Sequence, residues 1–157
     1  MTQRQPASLD ATDIKIVTLL EEDGRLAVSE LGRRIGLSQP ATSERLKRLE
    51  ERGVIEGYRA TVNPERLGLG LMAIIRVRTT HEHIKSCLKQ FALMPEVIEV
   101  YRLTGEDCFH LKVVIPSASQ LERIVDSVAR YGAVTTSLVL RSERPKPVST
   151  ALGKSAG

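Results

Sequence analysis

The sequence predicts an α+β protein: an N-terminal winged helix-turn-helix joined to a C-terminal ferredoxin-like βαββαβ domain. Before Gly53, apolar residues recur at helical spacing in three short segments, and beyond Leu69 they alternate as they do in strands. The 157 residues, 41% of them hydrophobic, are enough for two small domains. The predicted boundaries are 9–62 for the winged helix-turn-helix, 63–68 for a hinge, 69–142 for the ferredoxin-like domain and 143–157 for a flexible tail.

The three helices of the first domain have recognisable ends. Helical spacing predicts helix one over residues 10–20, where two early aspartates suit the helix dipole. Ser29 is a candidate N-cap for helix two, which ends at Gly36 because glycine tolerates the positive φ of a sharp turn. Ser38 is a candidate N-cap for helix three. The extended residues 54–62 that follow predict a small wing.

The second domain alternates strands and helices. A strand that begins at Leu69 is followed by a helix, two strands, a second helix and a fourth strand. The brief connection between the second and third strands indicates an antiparallel hairpin. This order predicts a four-stranded antiparallel sheet with both helices on one face. A capping box at the second helix is expected from Ser117 with Gln120 or from Ser119 with Glu122. The segments after the first strand are predicted at 81–94, 97–104, 109–115, 117–130 and 134–140.

Apolar side chains are also predicted on the sheet face away from those helices. A monomer rarely leaves so much apolar area in water, so we expect the protein to self-associate through this face. The apolar residues expected there are Met72, Ile74, Ile98, Val100, Val114 and Val139.

The distribution of charge favours nucleic acid as a partner. The net charge is +4, and basic residues collect in 33–59, whereas the charged residues of 9–30 are mostly acidic. A basic third helix after a glycine turn is typical of a helix-turn-helix, whose last helix enters the major groove of duplex DNA. The alternative, a solvated face of i,i+4 ion pairs, explains the charges but not the turn and the caps. The candidate base contacts are Gln39, Ala41, Thr42 and Arg45; the candidate phosphate contacts are Arg33, Arg34, Lys47, Arg48, Arg52 and Arg59; Ser38 and Pro40 complete the candidate DNA-binding set.

Other functional classes find less support in the residues. No apolar stretch reaches the roughly 18 residues that span a bilayer, and no secretory signal is readable, so we expect a cytoplasmic protein without a membrane partner. Aromatic residues make up 3% of the chain, too few for stacking single-stranded nucleic acid. We expect no enzyme, no metal and no cofactor, since the residues capable of such chemistry lack motif spacing. Those residues are His81, His83, His110, Cys87 and Cys108.

The motifs resemble those of one family, the leucine-responsive and asparagine regulators, Lrp/AsnC. The likeness continues through Asn63-Pro64 and Leu67-Gly68 to the loop at Gly105 and to Val139, and leaves out only the two tails. The motifs that carry it in the first domain are Leu9-Asp10, Asp23-Gly24-Arg25, Gly36-Leu37-Ser38, Arg45, Arg48-Leu49-Glu50, Gly53-Val54-Ile55 and Gly57-Tyr58.

The resemblance implies a transcription factor whose ferredoxin-like domain senses a small molecule, typically an amino acid. It also implies a homodimer, assembled as an octamer of four dimers, with the effector bound between dimers near the Gly105 loop. Relatives commonly have an acidic residue three positions after that glycine; this chain has Cys108 there and its acid at Asp107. The candidate effector-binding residues are Thr104, Gly105, Glu106, Asp107, Cys108, Thr135, Thr136, Ser137 and Leu138.

Two alternatives stay open at the level of sequence. Glu106 and Asp107 are also compatible with a tight turn that binds nothing, because acidic residues are common in turns. The whole chain is also compatible with a ligand-binding ferredoxin-like module whose helical half is a protein-interaction adaptor that does not bind DNA.

Overall fold

A computed structural model describes residues 8–143 and 145–152, which form two compact units. The first unit contains the described residues up to Thr61 together with 145–152, and the second runs from Val62 to Glu143. The predicted fold class is confirmed: a helix-turn-helix precedes a ferredoxin-like sheet domain. Residues 1–7, 144 and 153–157, which include parts of the predicted tail, lie outside the described residues.

Three helices make up most of the first unit. They are α1 (Ala11–Glu22), α2 (Val28–Ile35) and α3 (Gln39–Glu51). Ile16, Leu31 and Leu49, one from each helix, are at most 1% exposed and form the centre of its core. Burying one apolar side chain from each helix ties the three together, since each such side chain contributes about 1.5–3 kcal/mol.

The helix ends follow the local chemistry, with one exception. Asp10 caps α1 by accepting from the Asp13 N–H at 2.8 Å, and the Asp13 carboxylate accepts in return from the Asp10 N–H at 3.3 Å. Ser38 caps α3 as predicted, and Gly36 ends α2 with φ 74°. The prediction for Ser29 is wrong: α2 already begins at Val28, after Ala27, so the serine lies within the first turn.

The segment that follows α3 differs from the predicted wing. Gly53 turns the chain with φ 68°, but residues 54–62 form no strand. Among the described residues, 54–62 pair with no strand of the sheet. A wing made of these residues alone would be an isolated two-stranded hairpin, which is marginally stable in water. Tyr58 attaches the segment to α3 by donating to Glu50 Oε1 at 2.8 Å. Burial and that carboxylate raise the pKa of Tyr58 to about 12.

The C-terminal segment, residues 145–152, packs against α1, contrary to the prediction of a flexible tail. Its 3₁₀ turn (Val148–Leu152) presents two backbone N–H groups to the Glu21 carboxylate, at 2.6 Å from Val148 and 2.9 Å from Ser149. Thr18 donates its hydroxyl to Ser149 Oγ at 3.0 Å. Sequence periodicity missed this contact because the segment has almost no apolar pattern and is held by polar groups.

The second unit is a four-stranded antiparallel sheet in the order β2-β3-β1-β4, and its βαββαβ topology is as predicted. Its strands are β1 (Leu71–Thr79), β2 (Val97–Arg102), β3 (Phe109–Ile115) and β4 (Gly132–Leu138). The helices α4 (Ile84–Ala92) and α5 (Ala118–Ala129) bury Phe91 and Val128 against one sheet face. We call the other face the open face.

Two details of this unit correct the predictions. A register shift between Val97 and Glu99 places Val100 opposite the buried Leu111, so Val100 lies on the helix-covered side and not on the open face. The predicted capping boxes do not form: the hydroxyl of Ser117, the N-cap of α5, is paired with the Ser119 hydroxyl at 2.9 Å.

In the part of the chain that the structure describes, no helix combines the length and apolarity needed to cross a membrane.

Candidate nucleic-acid interface and ligand site

The leading turns of α3 form an exposed surface on the first unit. Ser38, Gln39 and Pro40 are exposed, and Ala41 is half-buried behind them. The sharp Gly36 turn and the Ser38 cap place this end of α3 at the surface. The exposed end offers an amide, a hydroxyl and a methyl group, which are the types of group that contact base edges.

Thr42 does not belong to this surface. It was expected on the exposed side of α3, but it is 0% exposed and its hydroxyl donates to the Ser38 carbonyl at 2.8 Å. Thr42 packs against α2 at Gly32. It therefore has no atom accessible to a base.

Arg45 lies at the boundary between α3 and α1. Its Nη1 donates to Asp10 Oδ2 at 2.7 Å and to Asp13 Oδ1 at 2.8 Å, and its side chain is 27% exposed. The two hydrogen bonds raise the pKa of Arg45, and the Asp13 N–H together with Arg45 lowers the pKa of Asp10. The candidate base contact thus has its charge matched within its own domain.

The cations farther along α3 are more accessible. Lys47 is 74% exposed and Arg48 58%, and their partners Glu51 and Glu44 are each 3.6 Å away. Exposed pairs of this length contribute little, so these cations are available to a phosphate. Arg52 donates to the Ser8 carbonyl at 2.8 Å.

The remaining candidate phosphate contacts lie on α2 and in the extended segment. Arg33 and Arg34 both donate to Glu30, at 2.6 and 2.8 Å. These hydrogen bonds lower the pKa of Glu30 to about 2. Arg59 is exposed in the segment after α3.

In the second unit, the loop between β2 and β3 is closed by backbone hydrogen bonds. Leu103 N–H donates to the Cys108 carbonyl at 2.9 Å, and Cys108 N–H donates to the Val77 carbonyl at 2.8 Å. Gly105 turns with φ 99° at the exposed tip, next to Thr104. This arrangement fixes the loop beside the end of β1.

Two arginines of β1 pair with the acidic residues of the loop. Arg78 contacts Glu106 at 3.2 Å and Arg76 contacts Asp107 at 3.6 Å, with all four side chains at least a third exposed. Sequence reasoning did not connect these two arginines with the loop. The missing information was the register of β1 with its neighbours, which depends on long-range pairing.

The β4 candidates divide between the two faces of the sheet. Thr135 lies opposite Arg76 in the ladder and Ser137 lies opposite Ile74, so both hydroxyls share the open face. Thr136 lies opposite the buried Ile75, and Leu138 likewise belongs to the helix-covered face. The structure therefore groups Thr135 with Arg76 and Asp107, and separates Thr136 and Leu138 from them.

The thiol of Cys108 is turned away from this group. Cys108 Sγ donates to the Thr79 carbonyl at 3.1 Å, and the residue packs against the core of the sheet domain. Cys87 and Cys108 are both free. Among the described residues, no three His, Cys, Asp or Glu side chains are grouped as a metal site.

A polar cluster that sequence reasoning did not find crosses β2 and β3 on the open face. Tyr101 donates to Glu99 at 2.6 Å and Lys112 contacts Glu99 at 2.9 Å. These contacts lower the pKa of Glu99. The ring of Tyr101 meets that of His110 edge-on at 6.0 Å. Ile98, which the register shift leaves without a partner in the ladder, is 48% exposed.

Comparisons with known proteins agree with this arrangement. Residues 9–50 match the model of the AsnC-type helix-turn-helix domain, and residues 72–148 match that of the Lrp/AsnC ligand binding domain. The HTH-type transcriptional regulator YezC of Bacillus subtilis is 38% identical over 143 residues, which cover 88% of this chain and 99% of that protein. The Leucine-responsive regulatory protein of Rhizobium meliloti is 38% identical over 120 residues, 74% of this chain and 77% of that one.

Two solved structures share the fold along most of the chain. Bacillus subtilis LrpC superposes with a TM-score of 0.84 at 28% identity, covering 89% of this chain and 100% of that one. The NMB0573/L-Met complex of Neisseria meningitidis superposes with a TM-score of 0.82 at 32% identity, covering 88% and 94%. With both domain types matched in order and relatives above 30% identity along most of its length, the chain belongs to the Lrp/AsnC family of helix-turn-helix transcriptional regulators.

Proposed function

We propose that this regulator binds duplex DNA by inserting the leading turns of α3 into the major groove. The observation that carries the proposal is the exposed end of α3, with Gln39 at its surface and Lys47 and Arg48 along its flank. Gln39 and Ala41 are assigned to base edges, since an amide bonds adenine bidentately and a methyl group contacts the thymine methyl. The exposed cations are assigned to phosphates, where each releases condensed counterions.

The open face is assigned to a homodimer. Ile98 and Tyr101, at 48% and 51% exposure, give this face apolar area that a second copy would cover. A dimer presents two α3 helices, so half-sites should recur about one helical turn, roughly 34 Å, apart or at multiples of it. From the resemblance to the family we also propose that four such dimers assemble into an octamer. From membership of this family we also propose that the regulator acts in the cytoplasm.

The loop site is assigned to an amino-acid effector. An α-amino acid needs a cation for its carboxylate and an acceptor for its ammonium group. Arg76 and Asp107 supply these, and Thr135 lies beside Arg76 in the ladder with a hydroxyl. Because the two charges are 3.6 Å apart and partly exposed, a zwitterion can exchange its own charges for this pair at small cost. The neighbouring structure in complex with L-Met supports an amino acid as the ligand class.

Selection of bound duplexes from a random pool, with and without a panel of amino acids, tests both assignments. The proposal expects an enriched sequence with two related half-sites, and an amino acid that changes the enrichment. A pool that stays random would contradict DNA reading and favour the protein-interaction adaptor. An enriched sequence that no amino acid affects would contradict the effector assignment alone.

A further inference from the structure

We infer that Arg45 acts as a positioning residue: it locks the DNA-reading helix α3 to the N-terminus of α1 and does not itself read a base. This inference rests on the proposed function, because it concerns how α3 is held for DNA binding. The inference replaces the role predicted from the sequence, in which Arg45 is a base contact.

The hydrogen bonds of Arg45 connect α3 with α1. One guanidinium nitrogen of Arg45 is shared by Asp10 and Asp13, at 2.7 and 2.8 Å. The same two carboxylates cap α1, so the helix end holds them in place as well. The contact therefore joins the start of α1 to the middle of α3 and restricts rotation of α3 about its own axis.

The Arg45–Asp13 ion pair is also costly to break, because it is partly buried. Asp13 has 12% of its side chain exposed and Arg45 27%, so the pair is shielded more than the other ion pairs of α3. Moving Arg45 to a base would leave the Asp13 carboxylate largely buried without its cation. Lys47, by contrast, is 74% exposed and faces a partner 3.6 Å away. Lys47 can therefore reach DNA without uncovering a buried charge.

Replacing Asp13 with the isosteric asparagine distinguishes a base-reading Arg45 from a positioning Arg45, because DNA affinity should change in opposite directions. If Arg45 read a base, Asp13→Asn would release it and remove a negative charge near DNA, so affinity would rise. If Arg45 positions α3, the same change loosens α3, and affinity for the selected duplex falls. We expect a loss on the order of tenfold, comparable to one base contact.

The experiment measures affinity of the full chain for the selected duplex over a range of salt concentrations. The variants are Asp13→Asn, Arg45→Ala, both together, and Glu22→Gln as a control that removes an exposed carboxylate of α1. Thermal unfolding of each variant identifies temperatures at which all are folded, so that lost folding does not imitate lost positioning. We expect both single variants to lose affinity, the double variant to lose no more than Arg45→Ala alone, and the salt slope to stay unchanged.

Three results would overturn the inference. Tighter binding by Asp13→Asn, or a salt slope reduced by about one in Arg45→Ala, would make Arg45 a direct DNA contact. Additive losses in the double variant would show that the two residues act separately. Absence of DNA binding by the unaltered chain would overturn the proposed function itself, a result distinct from these three.

Discussion

A methyl group added at Gly32 would lie 2.8 Å from Thr42 Oγ1, closer than side-chain carbons normally approach a neighbour. It would also lie 2.8 Å from the Leu37 carbonyl oxygen. Neither neighbour can easily move, since Thr42 is fully buried and the Leu37 oxygen belongs to the backbone. The angle between α2 and α3 thus depends on this glycine.

Replacing Gly32 with alanine should destabilise the first unit by about 1–3 kcal/mol, the usual cost of overpacking. Chemical denaturation of the full chain measures the loss. Gly24→Ala is the matched control, because a methyl group there meets atoms only at 3.7 and 3.9 Å. Equal stability of the Gly32→Ala and Gly24→Ala variants would show that α2 and α3 separate without penalty.

The contact between Glu21 and the C-terminal segment should depend on pH. Burial raises the pKa of Glu21, but hydrogen bonds from Ser149 and Val148 outweigh it, and the net pKa lies below the ordinary value of 4.5. Because the pKa of Glu21 is lower in the folded protein than in the unfolded chain, ionised Glu21 stabilises the folded form at pH values above the unfolded-state pKa. This stabilisation is lost as the pH falls through the folded-state pKa. Proteolysis of the C-terminal segment should therefore accelerate only below about pH 4.5.

The Glu21→Gln variant should not show that acid step, because an amide does not titrate in this range. Glu22→Gln, which changes the neighbouring exposed carboxylate, is the control and should keep the step. A cleavage rate that rises equally in the Glu21 variant and in the unaltered chain would mean that other contacts hold the segment.

Lys47→Ala should weaken binding to selected and random duplexes alike, and it should lower the salt slope by about one unit. The reason is that an exposed ammonium group on α3 neutralises a phosphate without reading a base. Binding titrations at several salt concentrations measure the slope. Lys89→Ala, an exposed cation on α4, should leave it unchanged. A loss confined to the selected duplex would make Lys47 a base contact.

Asp107→Asn should abolish the response to an amino acid while preserving DNA binding, because the amide cannot balance an ammonium group. Calorimetry with the responding amino acid measures its affinity. Glu82→Gln removes an exposed carboxylate in the same unit and serves as control. Unchanged affinity in the Asp107 variant would place the effector away from the loop.

Ile98→Glu should dissociate the dimer, since it places a charge in the proposed interface on the open face. Sedimentation gives the mass in solution. Leu93→Glu is the control, as Leu93 is 79% exposed at the end of α4, outside the sheet. Equal masses for both variants would place the dimer contact elsewhere.

Sequence reasoning succeeded where structure is decided locally. Gly36 and Ser38 mark the turn and cap of the helix-turn-helix because φ preference and capping depend on neighbouring residues. The prediction that Ser29 is the N-cap of α2 was wrong: the N-cap is Ala27, no side chain caps α2, and Ser29 lies within its first turn. Local signals therefore locate an element better than its first residue.

Contacts between residues far apart in the sequence, and the register of the strands, could not be predicted from local sequence patterns. Arg45 meets Asp10 across 35 positions of sequence, and no periodicity connects the two residues. A register shift in β2 reversed the face of Val100, because side chains alternate with a period of two. The contact of Arg76 with Asp107, in the loop between β2 and β3, follows only from the pairing of β1 with its neighbours.

Titration of the full chain with its selected duplex and with a scrambled duplex of equal length tests the central claim most directly. We expect the selected duplex to bind roughly a thousandfold more tightly than the scrambled one, and affinity for both to fall steeply as salt rises. Equal affinity for the two duplexes, or binding that ignores salt, would contradict the claim that α3 reads DNA.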